Sequence, residues 1–195
     1  MLMIKTNNFE IGIDEAGRGP LFGRVYAAAV IWDESKDNDI IKDSKKLSSK
    51  QRLSANEWIK NNLVYSIGYA DNNEIDEINI LEATKLAINR ALENLNINND
   101  YKLLIDGCGW ENKFNYLTKS IVKGDSKYYA IAAASILAKV AHDTYIEELC
   151  NIDPELNTKY YLLNNMGYGT KKHIEGIRTH GHSIYHRKSF KIKNL

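Results

Sequence analysis

The chain has 195 residues, 44% of them hydrophobic and 26% charged, with a net charge of +1. That is the make-up of a soluble globular protein of one compact domain with room for a small appendage. The longest apolar stretch, Tyr128 to Ala138, spans eleven residues and contains Ser135, no apolar signal core follows Met1, and two cysteines make neither a disulfide framework nor a four-thiolate zinc site. The expectation is a cytoplasmic, reduced protein with no membrane partner.

A strand is expected from Phe9 to Ile13, ending where Asp14 opens a glycine-rich turn. A second runs from Val25 to Trp32, a β-branched and aromatic run with small alanines inside it. Gly17, Gly19, Pro20 and Gly23 give the connection between them a backbone that can bend sharply. Ser48 to Leu63 carries a helical pattern through Leu53, Trp58 and Ile59, and Val64 to Tyr69 reads as a third strand. Ile80, Leu81, Thr84, Ala87, Ile88, Ala91, Leu92 and Leu95 recur at three- and four-residue steps, an amphipathic helix that Asp76 or Asn79 could cap. Lys102 to Ile105 is a short buried strand stopping at Asp106-Gly107, and a further strand covers Ser120 to Lys123. Tyr128 to Leu149 forms a long helix whose Ala132-Ala133-Ala134 segment permits close packing. From Asn151 onward the chain is helical at first, then irregular and basic.

An antiparallel meander followed by α/β crossovers gives an α/β fold, a mixed sheet with helices on its faces. In such a sheet ligand groups gather beyond the carboxyl ends of the parallel strands. Asp14 and Asp106 each directly follow a predicted strand. If those strands are parallel neighbours, both carboxylates emerge at one edge.

The charge is unevenly spread. From Lys159 to Leu195 eight Lys or Arg stand against the single acid Glu175, a net +7 that leaves −6 for the preceding 158 residues. An acidic body with a basic tail suits a polyanion held over an acidic or metal-binding site; a solvated basic surface with no ligand is the alternative. The strongest local signal is Ile11-Gly12-Ile13-Asp14-Glu15-Ala16-Gly17-Arg18-Gly19-Pro20. Two adjacent carboxylates in a partly buried place are costly unless a cation neutralises them, and oxygen-only ligands suit Mg²⁺ or Mn²⁺. The glycines let backbone N–H groups approach a ligand, and Arg18 adds a charge-assisted contact. Read more plainly, Asp14 and Glu15 are turn acids and Gly-Arg-Gly a tight loop. Asp106 is the second acid at a strand end and Asp125 the third candidate, with N-capping of the following helix as its competing role. Asp143 is read as a surface or supporting acid.

The motif Asp14-Glu15-Ala16-Gly17-Arg18-Gly19 resembles the signature of the type 2 ribonuclease H family, ribonuclease HII. Further blocks match in the family's order. They are Asp43-Ser44-Lys45-Lys46-Leu47, then Leu104-Ile105-Asp106-Gly107, then Lys123-Gly124-Asp125 running into Ile131 through Val140. Gly167-Tyr168-Gly169-Thr170 with His173 comes next, then His186-Arg187 and Ser189-Phe190. The resemblance implies a ribonuclease H-like fold, a five-stranded mixed sheet flanked by helices. It divides the chain into a catalytic domain over 1–150 and a helical or irregular basic C-terminal extension over 151–195, packed on the same domain. It implies an endonuclease that cleaves the RNA strand of RNA·DNA hybrids and nicks duplex DNA 5′ of embedded ribonucleotides, with a part in ribonucleotide excision repair and DNA replication. Acting as a monomer, it would use two Mn²⁺ or Mg²⁺ ions and leave a 5′-phosphate and a 3′-hydroxyl.

The resemblance puts the catalytic, metal-holding carboxylates on Asp14, Glu15, Asp106 and Asp125, with Asp14 bridging the two ions. It puts the ribonucleotide-sensing loop on Gly17-Arg18-Gly19, the junction-reading aromatic on Tyr168, and phosphate-side positions on Lys45, Lys46, Ser135 and Lys139. A core tyrosine is the plainer reading of Tyr168. His173 is not assigned to metal, because a hard cation prefers oxygen. Gly23-Arg24 and Ala141-His142-Asp143 depart from the family's usual Gly-Pro and Thr-Arg-Asp, which puts a phosphate contact at His142 in doubt. Type 3 enzymes usually carry Gly-Thr-Gly and a separate N-terminal domain; Gly-Arg-Gly, with ten residues before Ile11, favours type 2. Two other readings stay open: another two-metal nuclease of the same fold, of exonuclease or resolvase type, and a non-catalytic nucleic-acid-binding module.

Overall fold

A computed structural model describes residues 3–7, 9–36, 40–41, 47–98 and 100–192. Five strands form one sheet: β1 (Glu10–Ala16), β2 (Val25–Ile31), β3 (Val64–Ala70), β4 (Lys102–Asp106) and β5 (Leu117–Ile121). Their order is β3-β2-β1-β4-β5. The first three are antiparallel neighbours, and β4 runs parallel to both β1 and β5. This is the five-stranded mixed sheet that the resemblance implied, with β1 at its centre.

The two-residue strand period decides what each face carries. Ile11 and Ile13 of β1, with Leu103 and Ile105 of β4, join the core under α2 (Asn72–Leu95). The alternate residues turn to the other face, where α1 (Ser49–Asn62) and α3 (Tyr129–Ile152) pack. There Leu104 meets Ile131, and Gly12 lies so close to α3 that a Cβ would overlap backbone atoms of Ala130 and Ile131. The run Ala130–Ala134 keeps that helix face thin enough to sit on the strand. Both faces of the sheet are covered, which is why β2 reads as one uninterrupted apolar run.

Beyond α3 come α4 (Pro154–Tyr160), α5 (Leu162–Asn165) and α6 (Lys171–His180). Leu156, Tyr160, Leu162 and Ile177 share a buried cluster with Phe22 and with Ile146, Leu149 and Cys150 of α3. No helix among the described residues is long and apolar enough to cross a membrane.

Four expectations need correction. β1 continues through Asp14 and Glu15 to Ala16, so the turn opens at Gly17 rather than Asp14. β5 starts three residues before Ser120 and ends two before Lys123, because an edge strand paired on one side leaves its apolar Leu117 exposed and blurs its pattern. The second helix starts at Asn72, capped by an Asp71–Glu74 box in which each side chain accepts the other's backbone N–H. Asn79 instead interrupts it, at φ 68°, and caps its second half by accepting from Leu81 and Glu82 N–H. Past Asn151 the chain is helical further than expected, through His180.

Candidate active site

Parallel pairing of β1 with β4 ends at Ile13 opposite Ile105, so Asp14 and Asp106 stand side by side one step on, both on the α3 face. Asp125 reaches the same place from a 3₁₀ turn, Gly124–Ser126, that leads into α3. Carboxylate oxygens of Asp14, Asp106 and Asp125 all lie within 4.8 Å of one another. Asp125 does not cap α3: the cap residue is Tyr128 and it makes no side-chain bond. The trio is held from outside. Gly124 N–H donates to Asp106 Oδ1 at 2.6 Å, Glu15 N–H to Asp14 Oδ1 at 2.8 Å, and the Ser135 hydroxyl of α3 donates to Asp14. Trp110 donates from Nε1 to the Asp106 carbonyl at 3.0 Å and fixes the end of β4.

Glu15 stands apart from this trio. As the next residue on β1 it falls on the opposite pleat, and its Oε1 accepts from Arg18 at 3.1 Å. Its Oε2 is buried with no partner among the described residues. Burial raises the Asp14 carboxyl well above the usual carboxylate range, and the charges of Glu15 and Asp106 push it further the same way. Burial raises Glu15 as well, against the pull of Arg18. Crowded, desolvated carboxylates and a buried orphan oxygen are what a hard divalent cation would satisfy, so the residues present fit Mg²⁺ or Mn²⁺.

Asp14, Glu15 and Asp106 border a cleft of about 330 Å³ lined also by Gly17, Arg18, Gly19, Ser135, Lys139 and Tyr168, with Arg52 of α1. Lys139 Nζ donates to Asp143 at 2.7 Å, and Arg52 lies 3.9 Å from the same carboxylate. Desolvation would raise Asp143, but hydrogen bonds from His142 and Lys139 hold it below its ordinary value. His142 is buried behind Gly17, whose φ of +89° and lack of a Cβ allow the contact. A phosphate contact at that position is therefore shut off by burial. Tyr168 is 45% exposed and its ring faces Gly19 across the cleft, so it is no core residue. Lys45 and Lys46 lie outside the described residues.

Three residues outside the predicted site organise it. Arg187 is buried, and its guanidinium donates to the carbonyls of Gly17, Arg18, Pro20, Gly23 and Arg24 at 2.6–3.1 Å. It therefore cannot be one of the phosphate contacts that the basic tail suggested. His173 and His186, also buried, meet Nε2 to Nε2 at 3.0 Å. The partners assign the tautomers. His173 Nδ1 donates to the Tyr168 carbonyl, so its Nε2 accepts; His186 Nε2 donates to it, and His186 Nδ1 accepts from Ser183 N–H. Two neutral histidines thus tie the Ser183 turn to the backbone of Tyr168. Two blocks of the resemblance pointed here, Gly167–Thr170 with His173 and His186-Arg187, and neither named a role for these three residues.

A five-stranded mixed sheet whose parallel central strands bring carboxylates together beside a glycine-rich loop has the ribonuclease H-like architecture. The model of the family described as ribonuclease HII matches residues 11–193. A ribonuclease HII of Orientia tsutsugamushi (strain Ikeda) is 51% identical over 184 residues, covering 93% of this chain and 85% of that relative. The chain belongs to the ribonuclease HII family. A Parabacteroides distasonis ribonuclease HII is 45% identical over 190 residues, 97% of this chain and 93% of the relative. The crystal structure of the ribonuclease H2 from Pyrococcus horikoshii OT3 superimposes with a TM-score of 0.71 at 27% identity, over 93% of each chain.

Proposed function

We propose that this ribonuclease H cleaves the RNA strand of RNA·DNA hybrids and nicks duplex DNA on the 5′ side of an embedded ribonucleotide. The observation that carries the reading is the convergence of Asp14, Asp106 and Asp125 within 4.8 Å beside a cleft walled by Gly17-Arg18-Gly19 and Tyr168. Asp14, Asp106 and Asp125 would hold divalent ions, Mg²⁺ or Mn²⁺, with Glu15 joining through its buried, unpartnered oxygen. Held there, a pair of such ions would supply activation of the attacking water and charge neutralisation at the leaving 3′-oxygen. The residues do the rest. Ser135 orients the Asp14 carboxylate, Gly17, Arg18 and Gly19 offer backbone to the 2′-hydroxyl, which separates RNA from DNA, and Tyr168 offers a ring to the following sugar. Lys139 lines the phosphate side of the cleft.

The test is nicking of a duplex that carries one ribonucleotide, with Mn²⁺ or Mg²⁺ and an EDTA control. Wild type should cut once, leaving a 5′-phosphate and a 3′-hydroxyl. Asp14→Asn should lose turnover while still binding the duplex. Near-normal cleavage by Asp14→Asn, or equal cutting of an all-deoxy duplex, overturns the reading.

A further inference from the structure

Arg187 spends all five of its N–H donors on main-chain carbonyls of one loop, and those carbonyls belong to residues 163 to 170 positions earlier in the chain. Among the described residues no carboxylate pairs with it; the carbonyl dipoles take that place. Burial lowers its pKa to about 10, which leaves it charged at neutral pH. The segment that carries it is itself anchored. Lys188 N–H, Ser189 N–H and the Ser189 hydroxyl all donate to Asp76 of α2, at 2.6–2.9 Å. On the other side Arg187 N–H donates to the Leu21 carbonyl, and His186 begins the histidine pair that reaches Tyr168.

Elementary peptide geometry gives this arrangement a consequence. Among the described residues there is no cis peptide bond, and in a trans peptide the C=O and the following N–H point in opposite directions. Turning the Gly17 and Arg18 carbonyls onto the guanidinium therefore turns the N–H groups of Arg18 and Gly19 away from it. Arg18 and Gly19 line the cleft, and Arg187 does not. We propose that Arg187 is a positioning residue for ribonucleotide recognition: a template behind the Gly17–Arg24 loop that sets two backbone donors toward the substrate. The inference rests on the functional reading above and adds to it what shapes the loop. A lysine has three donors on one tetrahedral nitrogen and cannot reproduce the planar fork.

The test uses the full chain, loaded with Mn²⁺, as wild type, Arg187→Lys and Arg187→Ala. On the single-ribonucleotide duplex both variants should lose about 100-fold in kcat, the scale of a small misplacement at a reacting centre. KM and Mn²⁺ affinity should stay near wild type, because the acids and the outer cationic contacts are untouched. Methylguanidinium, which has the same five donors, should restore turnover to Arg187→Ala, and methylammonium should not. Wild-type kcat in Arg187→Lys, or a loss confined to KM or Mn²⁺ binding, overturns the proposal. Should neither variant fold, Asp76→Ala frees the Lys188–Ser189 backbone instead and should show the same kcat loss; an unchanged kcat there also overturns it. Hydrogen exchange over residues 17–24 reads the template without substrate. Faster exchange in the variants supports it and unchanged exchange refutes it, whereas a wild type that leaves the duplex uncut removes the functional reading alone.

Discussion

Acidification should weaken the fold through the buried histidine pair. His186 is fully buried, enclosed by Phe22, Tyr160, His173 and His182, and Ser183 N–H fills its Nδ1. Burial, then the neighbouring His173 and His182, lowers its pKa from 6.5 to about 3, and burial lowers His173 as well. Between those two values the unfolded chain binds a proton that the native protein does not, so stability falls as pH falls through that window. Each pH unit below the ordinary value costs about 1.4 kcal/mol, which makes the loss from His186 about 2 kcal/mol at pH 5. Urea unfolding of metal-free protein at pH 7 and pH 5 measures it. The buried acids Asp14 and Glu15 act the other way, since their raised values favour the native state as pH drops. The comparison that isolates the histidine is therefore wild type against His186→Gln. The variant should start less stable and lose less between the two pH values. Equal losses in the two proteins would refute the assignment of a neutral, wired His186.

Two further outcomes follow from the packing. Gly12→Ala places a methyl on the backbone of Ala130 and Ile131, where nothing flexible can yield, so the cost should be about 3 kcal/mol, or about 6–12 °C in Tm. A melt unchanged within about 2 °C would show that α3 can lift from β1. Tyr168→Ala removes a ring that is 45% exposed, so the melt should hardly move. The variant should lose about 1–3 kcal/mol of binding and its preference for RNA–DNA junctions. Competition between a junction substrate and a uniform hybrid measures this, and an intact preference would count against the stacking role.

The sequence was most informative where chemistry and backbone coincide. Asp14 and Asp106 could be placed together because each directly follows a predicted strand, and the parallel pairing of those strands brings their carboxylates to one edge. What it did not separate was Glu15 from Asp14. Adjacent letters look equivalent, yet the pleat sends one to the trio and the other toward Arg18. Helix α2 was read late because its first turn, Asn72-Asn73-Glu74, is polar and shows no apolar period; the capping box at Asp71 and Glu74 was the available signal. Arg187 was counted as tail charge, and His173 was weighed only as a metal ligand and set aside. The guanidinium works through main-chain carbonyls 163 to 170 positions earlier, and such bonds leave no spacing for a pattern to detect.

The distance in sequence between loop and guanidinium bears on how the protein is born. Synthesis delivers Gly17 170 positions before Arg187. A nascent chain on the ribosome thus displays Asp14, Asp106 and Asp125 before the residue that braces the Gly17–Arg24 loop has been made. The loop can take its braced shape only once Arg187 has been made, so a prematurely released fragment lacking that stretch would carry the acids beside an unbraced loop.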